Sequence, residues 1–305
     1  MRTNEILTNE QLRLYREDGY FVLENVLSPA ELDALRKASD QMVEGARGLT
    51  QHTKVYDLDP SHTPDDPRLR RVTRPDLEHA AFAELVRHPK ILAAMRDLWG
   101  PNIRYQFAKL NMKSAGFGAA IEWHQDWAFY PHTNEDLAAV GIMLDDCTEE
   151  NGPLLAVPGS HCGPIHSHHI GKTFVAAIDP NSKEAGYERA VPLLGKAGSV
   201  TIHHVRSVHG SATNFSKHSR RMAFYQYRNA DAWPLKGIPE GFDEWERLMV
   251  CGSSTVAPRM ESLPLRMPFP LAEKQGSVYE NQSQMPVRFF DTQHSKTPAH
   301  AAEMK

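Results

Sequence analysis

Ile121-Glu122-Trp123-His124-Gln125-Asp126-Trp127-Ala128-Phe129-Tyr130 is the stretch around which the chain is read. It is one of several short apolar or alternating runs separated by Gly, Pro and Asn, and reads as a strand. In an extended strand successive side chains point to opposite faces, so His124 and Asp126, two apart, look the same way and can share one ion. An imidazole and a carboxylate suit a divalent transition metal, and a second histidine from elsewhere would complete a facial triad with positions left open for chemistry. Taken alone, His-x-Asp is explained equally well by two polar residues on a wet strand face.

Working outward, short apolar or alternating runs separated by Gly, Pro and Asn recur on both sides: Ile103 to Met112, Ala138 to Leu144, Leu154 to Val157, Gly198 to His204 and Met222 to Arg228. Strands joined by turns rather than helices predict a mainly β core, a sandwich or double-sheet jelly roll. The first hundred residues read differently. Thr8 with Gln11, and Ser28-Pro29, open helices by their capping signatures; Tyr20 to Leu23 forms a strand between them; Phe82 to Trp99 returns to helical spacing with a break near His88-Pro89. Residues 45 to 74 lack a period and are assigned to loop and short pieces. The expected organisation is one domain over 1–305: a mostly helical region (1–100), a jelly-roll core (101–230) and an extension (234–305).

With 41% hydrophobic and 24% charged residues, the composition is that of a globular protein. A net charge of -4 gives no electrostatic case for nucleic acid or an anionic membrane as partner. Three cysteines, Cys147, Cys162 and Cys251, match no zinc or thioredoxin spacing, and no apolar run is long enough to span a bilayer, so a reduced, cytoplasmic protein is expected. The basic run Arg68 to Arg74 reads as a solvated loop face, with contact to an anionic substrate as the other reading.

Sixteen histidines are too many for each to be a ligand. His161, His166, His168 and His169 fall in a Gly/Ser/Pro-rich stretch and are expected in an exposed loop; His203 and His204 are neighbours on a strand and face opposite sides. His209 differs because a polar turn and Arg220 follow it, as if a histidine ended one strand of a hairpin and a guanidinium entered the next. A metal at the first and Arg at the second would grip a small dicarboxylate at both ends, since Arg binds a carboxylate through two parallel hydrogen bonds. Ser211 could add a hydroxyl.

Together, His124-x-Asp126, Asn151-Gly152-Pro153-Leu154, Val157-Pro158-Gly159-Ser160-His161, Gly198-Ser199-Val200, His209-Gly210-Ser211, Asn214 and Arg220 resemble the phytanoyl-CoA dioxygenase family of Fe(II)- and 2-oxoglutarate-dependent oxygenases. So does the opening, Gln11 to Leu23, and the resemblance covers roughly residues 8 to 230. It implies a double-stranded β-helix, a cupin-like jelly roll with helices outside. It also implies His124, Asp126 and His209 as Fe(II) ligands and Arg220, helped by Ser211, on the distal carboxylate of 2-oxoglutarate. Lys109 and Asn111, which share a strand face, are further candidates for cosubstrate contact. Relatives that halogenate lack the ligand carboxylate, so Asp126 favours hydroxylation, with O2 consumed and succinate and CO2 released. Ile142 stands where a Trp is expected and neither end carries a peroxisomal signal, so phytanoyl-CoA is not supported as the substrate. A small organic metabolite is expected, with Trp127, Phe129 and Tyr130 contributing to its pocket and Arg104, Lys113 or Arg206 near the mouth. Two other classes remain open at this point: a zinc hydrolase or isomerase on the same scaffold, for which Arg220 has no use, and a non-catalytic binding protein.

Overall fold

The computed structural model describes residues 4–116, 118–238, 241–263 and 276–292. In chain order the elements are α1 (Asn9–Glu17), β1 (Tyr20–Leu23), α2 (Pro29–Glu44), β2 (Tyr56–Leu58), β3 (Leu69–Thr73), α3 (Pro75–Glu78), α4 (Ala80–Leu85), α5 (Pro89–Trp99), β4 (Ile103–Lys113) and β5 (Ile121–His124). Then come β6 (Leu137–Met143), β7 (Leu154–Ala156), β8 (His169–Ile170), β9 (Thr173–Phe174), β10 (Val191–Leu193), β11 (Val200–His204), β12 (His209–Ser211), β13 (Arg220–Asn229), α6 (Phe242–Arg247), β14 (Met249–Cys251), α7 (Val278–Gln282) and α8 (Phe289–Thr292). The predicted helix starts are where the caps put them. Thr8 and Ser28 each accept the backbone N–H three residues on, from Gln11 and Glu31, whose side chains reach back to the cap. Pro89 opens α5 at the expected break.

An eight-stranded antiparallel sheet runs β1-β11-β6-β13-β4-β3-β2, with β14 also on β4, and faces a four-stranded sheet, β10-β7-β12-β5. This is the jelly-roll core. Its large sheet is covered on both sides, which is why β6 is buried at every position. Ile142, Ile202, Ala223 and Tyr225 pack outward against Leu35, Met42, Phe82 and Ile91 of the helices, while Met143, Met222 and Phe224, one residue out of phase, meet Leu154 and Leu193 of the small sheet. The Tyr225 hydroxyl bonds to Phe82 O at 2.6 Å and fastens sheet to helix. Ile142, at the position where Trp was expected, faces the helices rather than the space between the sheets.

Four expectations change. Residues 45–74 contain β2 and β3, which extend the large sheet, so Arg68 to Arg74 is mostly strand rather than loop; the run escapes pattern reading because a bulge between Asp57 and Leu58 breaks its alternation. His209 and Arg220 are not on paired strands: β12 lies in the small sheet and β13 in the large one, because the connecting turn crosses between layers. His161 and His168 are buried, not exposed, each held by backbone: His161 Nε2 against Arg16 O at 3.1 Å, and His168 Nε2 accepting the Gln125 N–H at 2.8 Å. Finally, the stretch after Pro234 is no loose appendage where it is described. β14 pairs with β4, and Phe290 stacks on Trp123 with ring centroids 5.4 Å apart; residues 264–275 and 293–305 of the expected extension lie outside the described residues.

Candidate active site

The site forms between the two sheets. β5 and β12 are neighbours in the small sheet and their registers place His124 directly opposite His209, ring centroids 4.1 Å apart. Each imidazole is fixed through Nδ1 by a local carbonyl, His124 by Glu122 O at 2.8 Å and His209 by Ser207 O at 2.9 Å, so both present Nε2 to the cavity. A ring whose other nitrogen is held this way is set as a metal ligand. Asp126 arrives by a route the sequence did not indicate. The strand ends at His124; Gln125 is buried, its side chain donating to Arg206 O at 2.8 Å, and Asp126 begins a short 3-10 turn closed by Phe129 N–H on Asp126 O at 3.0 Å. The turn delivers the carboxylate to the same side as His124, with Oδ1 3.9 Å from His124 Nε2. One donor atom from each of His124, Asp126 and His209 lies within 4.8 Å of the others.

Electrostatics favour the forms that bind a cation. Burial pushes His124 down to about 4 and His209 well below the ordinary histidine range, keeping both neutral. Burial alone would raise the Asp126 carboxyl, but the charge of Lys109, with His203 beside it, holds it well below the usual carboxylate range. Two neutral imidazoles and one carboxylate, all buried and converging, are the donor set that a ferrous ion takes with positions left open, and the residues present fit it.

Around them lies a cavity lined by Lys109, Asn111, Leu154, Ser211, Arg220 and Val278 among others. Arg220 is 2% exposed; its Nη2 donates to Gly152 O at 2.6 Å, and its Nε has no protein partner. Gly152 carries the Asn-Gly-Pro-Leu motif and needs its glycine: φ is +70°, and a Cβ would sit 2.5 Å from Ala212 O. Lys109 stands over the Phe224 ring at 5.6 Å, and Asn111 Oδ1 is buried without a partner.

Some expected contributors sit elsewhere. Trp127 is fully buried with Leu137, Val205 and Ala232, away from the cavity, because the 3-10 turn rotates it off the face His124 occupies. Phe129 stands edge-on to the His124 ring at 5.8 Å, and the Tyr130 hydroxyl lies close enough to Asp126 to have its ionisation suppressed, after burial, by that carboxylate. The three proposed mouth cations are structural: Arg104 donates to Trp245 O and Ser254 Oγ, Arg206 pairs with Glu135, and Lys113 donates to Ser211 O at 3.2 Å and to Ala212 O.

Other contributors were missed. Gln226 donates to Asp126 Oδ2 at 3.0 Å, and its even spacing from Arg220 and Phe224 along β13 was a legible signal. His203 lines the cavity with Nε2 3.6 Å from Asp126 Oδ2, while His204 faces Tyr15 and His161 on the other side. Strand alternation separated the two histidines but could not say that both faces were covered. Val278, from the C-terminal segment, had no signal at all.

Comparison with known proteins agrees with this geometry. The family model for phytanoyl-CoA dioxygenase (PhyH) matches residues 15–222. A probable alpha-ketoglutarate-dependent hypophosphite dioxygenase from Stutzerimonas stutzeri is 38% identical over 285 residues, covering 92% of this chain and 99% of that protein. An L-proline trans-4-hydroxylase from Streptomyces griseoviridis is 35% identical over 246 residues, covering 73% of this chain and 88% of the relative. Among solved structures, EctD from S. alaskensis with bound Fe shares the fold, with a TM-score of 0.65 at 22% identity over 86% of this chain and 90% of that one. The chain therefore belongs to the phytanoyl-CoA dioxygenase (PhyH) family of Fe(II)- and 2-oxoglutarate-dependent oxygenases.

Proposed function

We propose that this dioxygenase holds Fe(II) on His124, Asp126 and His209, binds 2-oxoglutarate on Arg220, and hydroxylates a C–H bond of a small organic metabolite. The observation that carries the reading is the placement of Arg220 across the cavity from the three convergent donors, on the facing sheet. When bound, the ferrous ion supplies the oxygen-activating chemistry, which consumes 2-oxoglutarate and O2 and releases succinate and CO2.

The chain's own residues position and insulate. Gly152 O anchors Arg220 Nη2, so the guanidinium cannot swing, and its free Nε–H is available to the distal carboxylate of the cosubstrate. Ser211, Lys109 and Asn111, which line the same cavity, are assigned further cosubstrate contacts. Gln226 ties one oxygen of Asp126 and leaves the other for the metal. Phe129 and Tyr130 are assigned to the substrate side, and Trp127 keeps only a role in supporting the turn. A zinc hydrolase or a binding protein on this scaffold would have no use for a fixed, half-satisfied guanidinium opposite the donors.

Val278 and Phe290 bring the C-terminal segment onto the site, which supports reading 1–305 as one catalytic unit. Three unpaired cysteines support a reducing, cytoplasmic setting, and among the described residues no helix is long and apolar enough to cross a membrane. One second reading has a specific observation behind it: the relative at 38% identity is named for hypophosphite, whose only hydrogens are on phosphorus, so a P–H bond is the alternative target. Candidate metabolites are screened for stimulated succinate formation, followed by mass spectrometry. A product heavier by one oxygen supports the proposal; succinate that no candidate stimulates, from carbon or phosphorus acids alike, contradicts it.

A further inference from the structure

Buried polar atoms without a partner mark the places where a ligand completes the structure. Around this cavity Asn111 Oδ1, Arg220 Nε and the Tyr279 hydroxyl are such atoms, and the cosubstrate accounts for those near Arg220. Arg71 Nε is another, and neither the metal nor the cosubstrate accounts for it. Arg71 lies on β3 directly across from Asn111 on β4, and paired residues of antiparallel strands project to the same face, here the face that lines the cavity. Its charge reaches Lys109, which lines the cavity, and Tyr130 and Tyr279, which are neighbours in sequence of Phe129 and of the lining residue Val278.

The carboxylate nearest in register acts on it through space, as does Glu280, but is bonded to other groups. Asp57 faces Arg71 across β2 and β3, but its Oδ1 accepts from Arg70 Nε at 2.8 Å and its Oδ2 from Ser277 Oγ at 2.6 Å. Among the described residues Arg71 forms no ion pair within 4.0 Å. In the loaded site Arg220 and Lys109 match the carboxylates of 2-oxoglutarate, and Asp126 offsets part of the metal's charge. Arg71 is then a partly buried cation, with its Nε enclosed, that the machinery does not use, and such a charge is costly unless something anionic pairs with it.

We propose that Arg71 binds the negatively charged group of the substrate, so that the enzyme acts on small anions, whether carboxylates or phosphorus oxyanions. This rests on the reaction proposed above. The forked guanidinium suits either anion through paired hydrogen bonds and, from β3, holds it on the Asn111 side of the cavity, apart from the cosubstrate on Arg220.

The test is calorimetric titration of the anaerobic Fe(II)–2-oxoglutarate complex with propionate, hypophosphite and neutral propionamide, for the wild type, Arg71→Gln and Arg71→Lys. The wild type is expected to bind at least one anion and not propionamide. Arg71→Gln is expected to weaken that binding ~10- to 100-fold, and Arg71→Lys to recover part of it. The amount of 2-oxoglutarate needed to form the visible complex should stay within about twofold in both variants, as expected for a residue outside the cosubstrate's grip. Which anion binds separates a carbon acid from a phosphorus acid as the source. The proposal is overturned if neither anion binds the wild type, if propionamide binds equally well, if Arg71→Gln leaves anion binding unchanged, or if it is the 2-oxoglutarate requirement that rises. A wild type that forms no Fe(II)–2-oxoglutarate complex would instead remove the reaction itself, a result seen before any anion is added.

Discussion

Gln226 donates to one oxygen of Asp126 at 3.0 Å and so decides which lone pairs the carboxylate offers to a metal. Partners of this kind, one step behind a ligand, typically set affinity by one to two orders of magnitude. Gln226→Leu is therefore expected to raise the Kd for Fe(II) ~10- to 100-fold with the fold intact, read by anaerobic metal titration; an unchanged Kd would mean that the turn at Asp126 alone orients it. The ligand histidines carry a pH prediction. Metal competes with protons only where the imidazole is protonated, and burial places that event near 4 for His124 rather than at the ordinary 6.5. Metal affinity at pH 5.5 should then lie within about twofold of that at pH 7.5, whereas two histidines titrating at the ordinary value would cost ~100-fold. The same depression has a sign for stability. Without metal, the unfolded chain takes up a proton at His124 between pH 6.5 and about 4 that the folded chain refuses, so stability is fully present above 6.5 and is lost as pH falls toward 4. At this scale the sequence was most legible where residue type and order coincide, as for His124, Asp126, His209 and Arg220. It left His203 and Arg71 undecided, the one between two strand faces and the other between a solvated run and contact with an anion, because a histidine or arginine on a strand looks the same whether its face is wet or roofed by a second layer.

Among the elements, α7 does most to close the site from outside the core. Gln282 accepts the Glu122 N–H at 3.0 Å and donates to Ala176 O at 3.1 Å, tying the C-terminal segment to β5 two residues before His124. Gln282→Ala leaves buried backbone groups unpaired and should cost about 1–3 kcal/mol in denaturant unfolding, with a loss of metal affinity that exceeds the effect of a surface control such as Lys217→Ala. Equal metal affinity in the two variants would show that α7 does not position β5. At the other end, Thr8→Ala removes the cap of α1 and should cost about 1 kcal/mol without touching metal binding. Helix starts were readable because a cap is a local bond between residues three apart. The strands β2 and β3 and the packing of α7 were not, because a bulge hides the alternation of the first pair and only long-range contacts define the last.

For the whole molecule, the two-sheet architecture explains why the site tolerates so much buried charge. The small sheet contributes His124 and His209 and the large sheet Lys109 and Arg220, so a metal and cosubstrate held by them would lie between the two layers. The jelly roll itself was legible from turn-separated strands, but its pairing was not: His209 and Arg220, close in sequence, line one cavity from different sheets rather than lying side by side on paired strands. Within the one cavity the convergent donors and the arginine come from different segments, so each can be removed without the other. The direct measurement is anaerobic titration of Fe(II) and 2-oxoglutarate into the wild type, His209→Ala and Arg220→Ala, following the visible charge-transfer band and the metal Kd. The geometry predicts that the wild type forms the band, that His209→Ala loses iron and band together, and that Arg220→Ala retains iron while requiring at least ~10-fold more 2-oxoglutarate. A wild type without the band, or an Arg220→Ala variant that loses iron and 2-oxoglutarate equally, would contradict it.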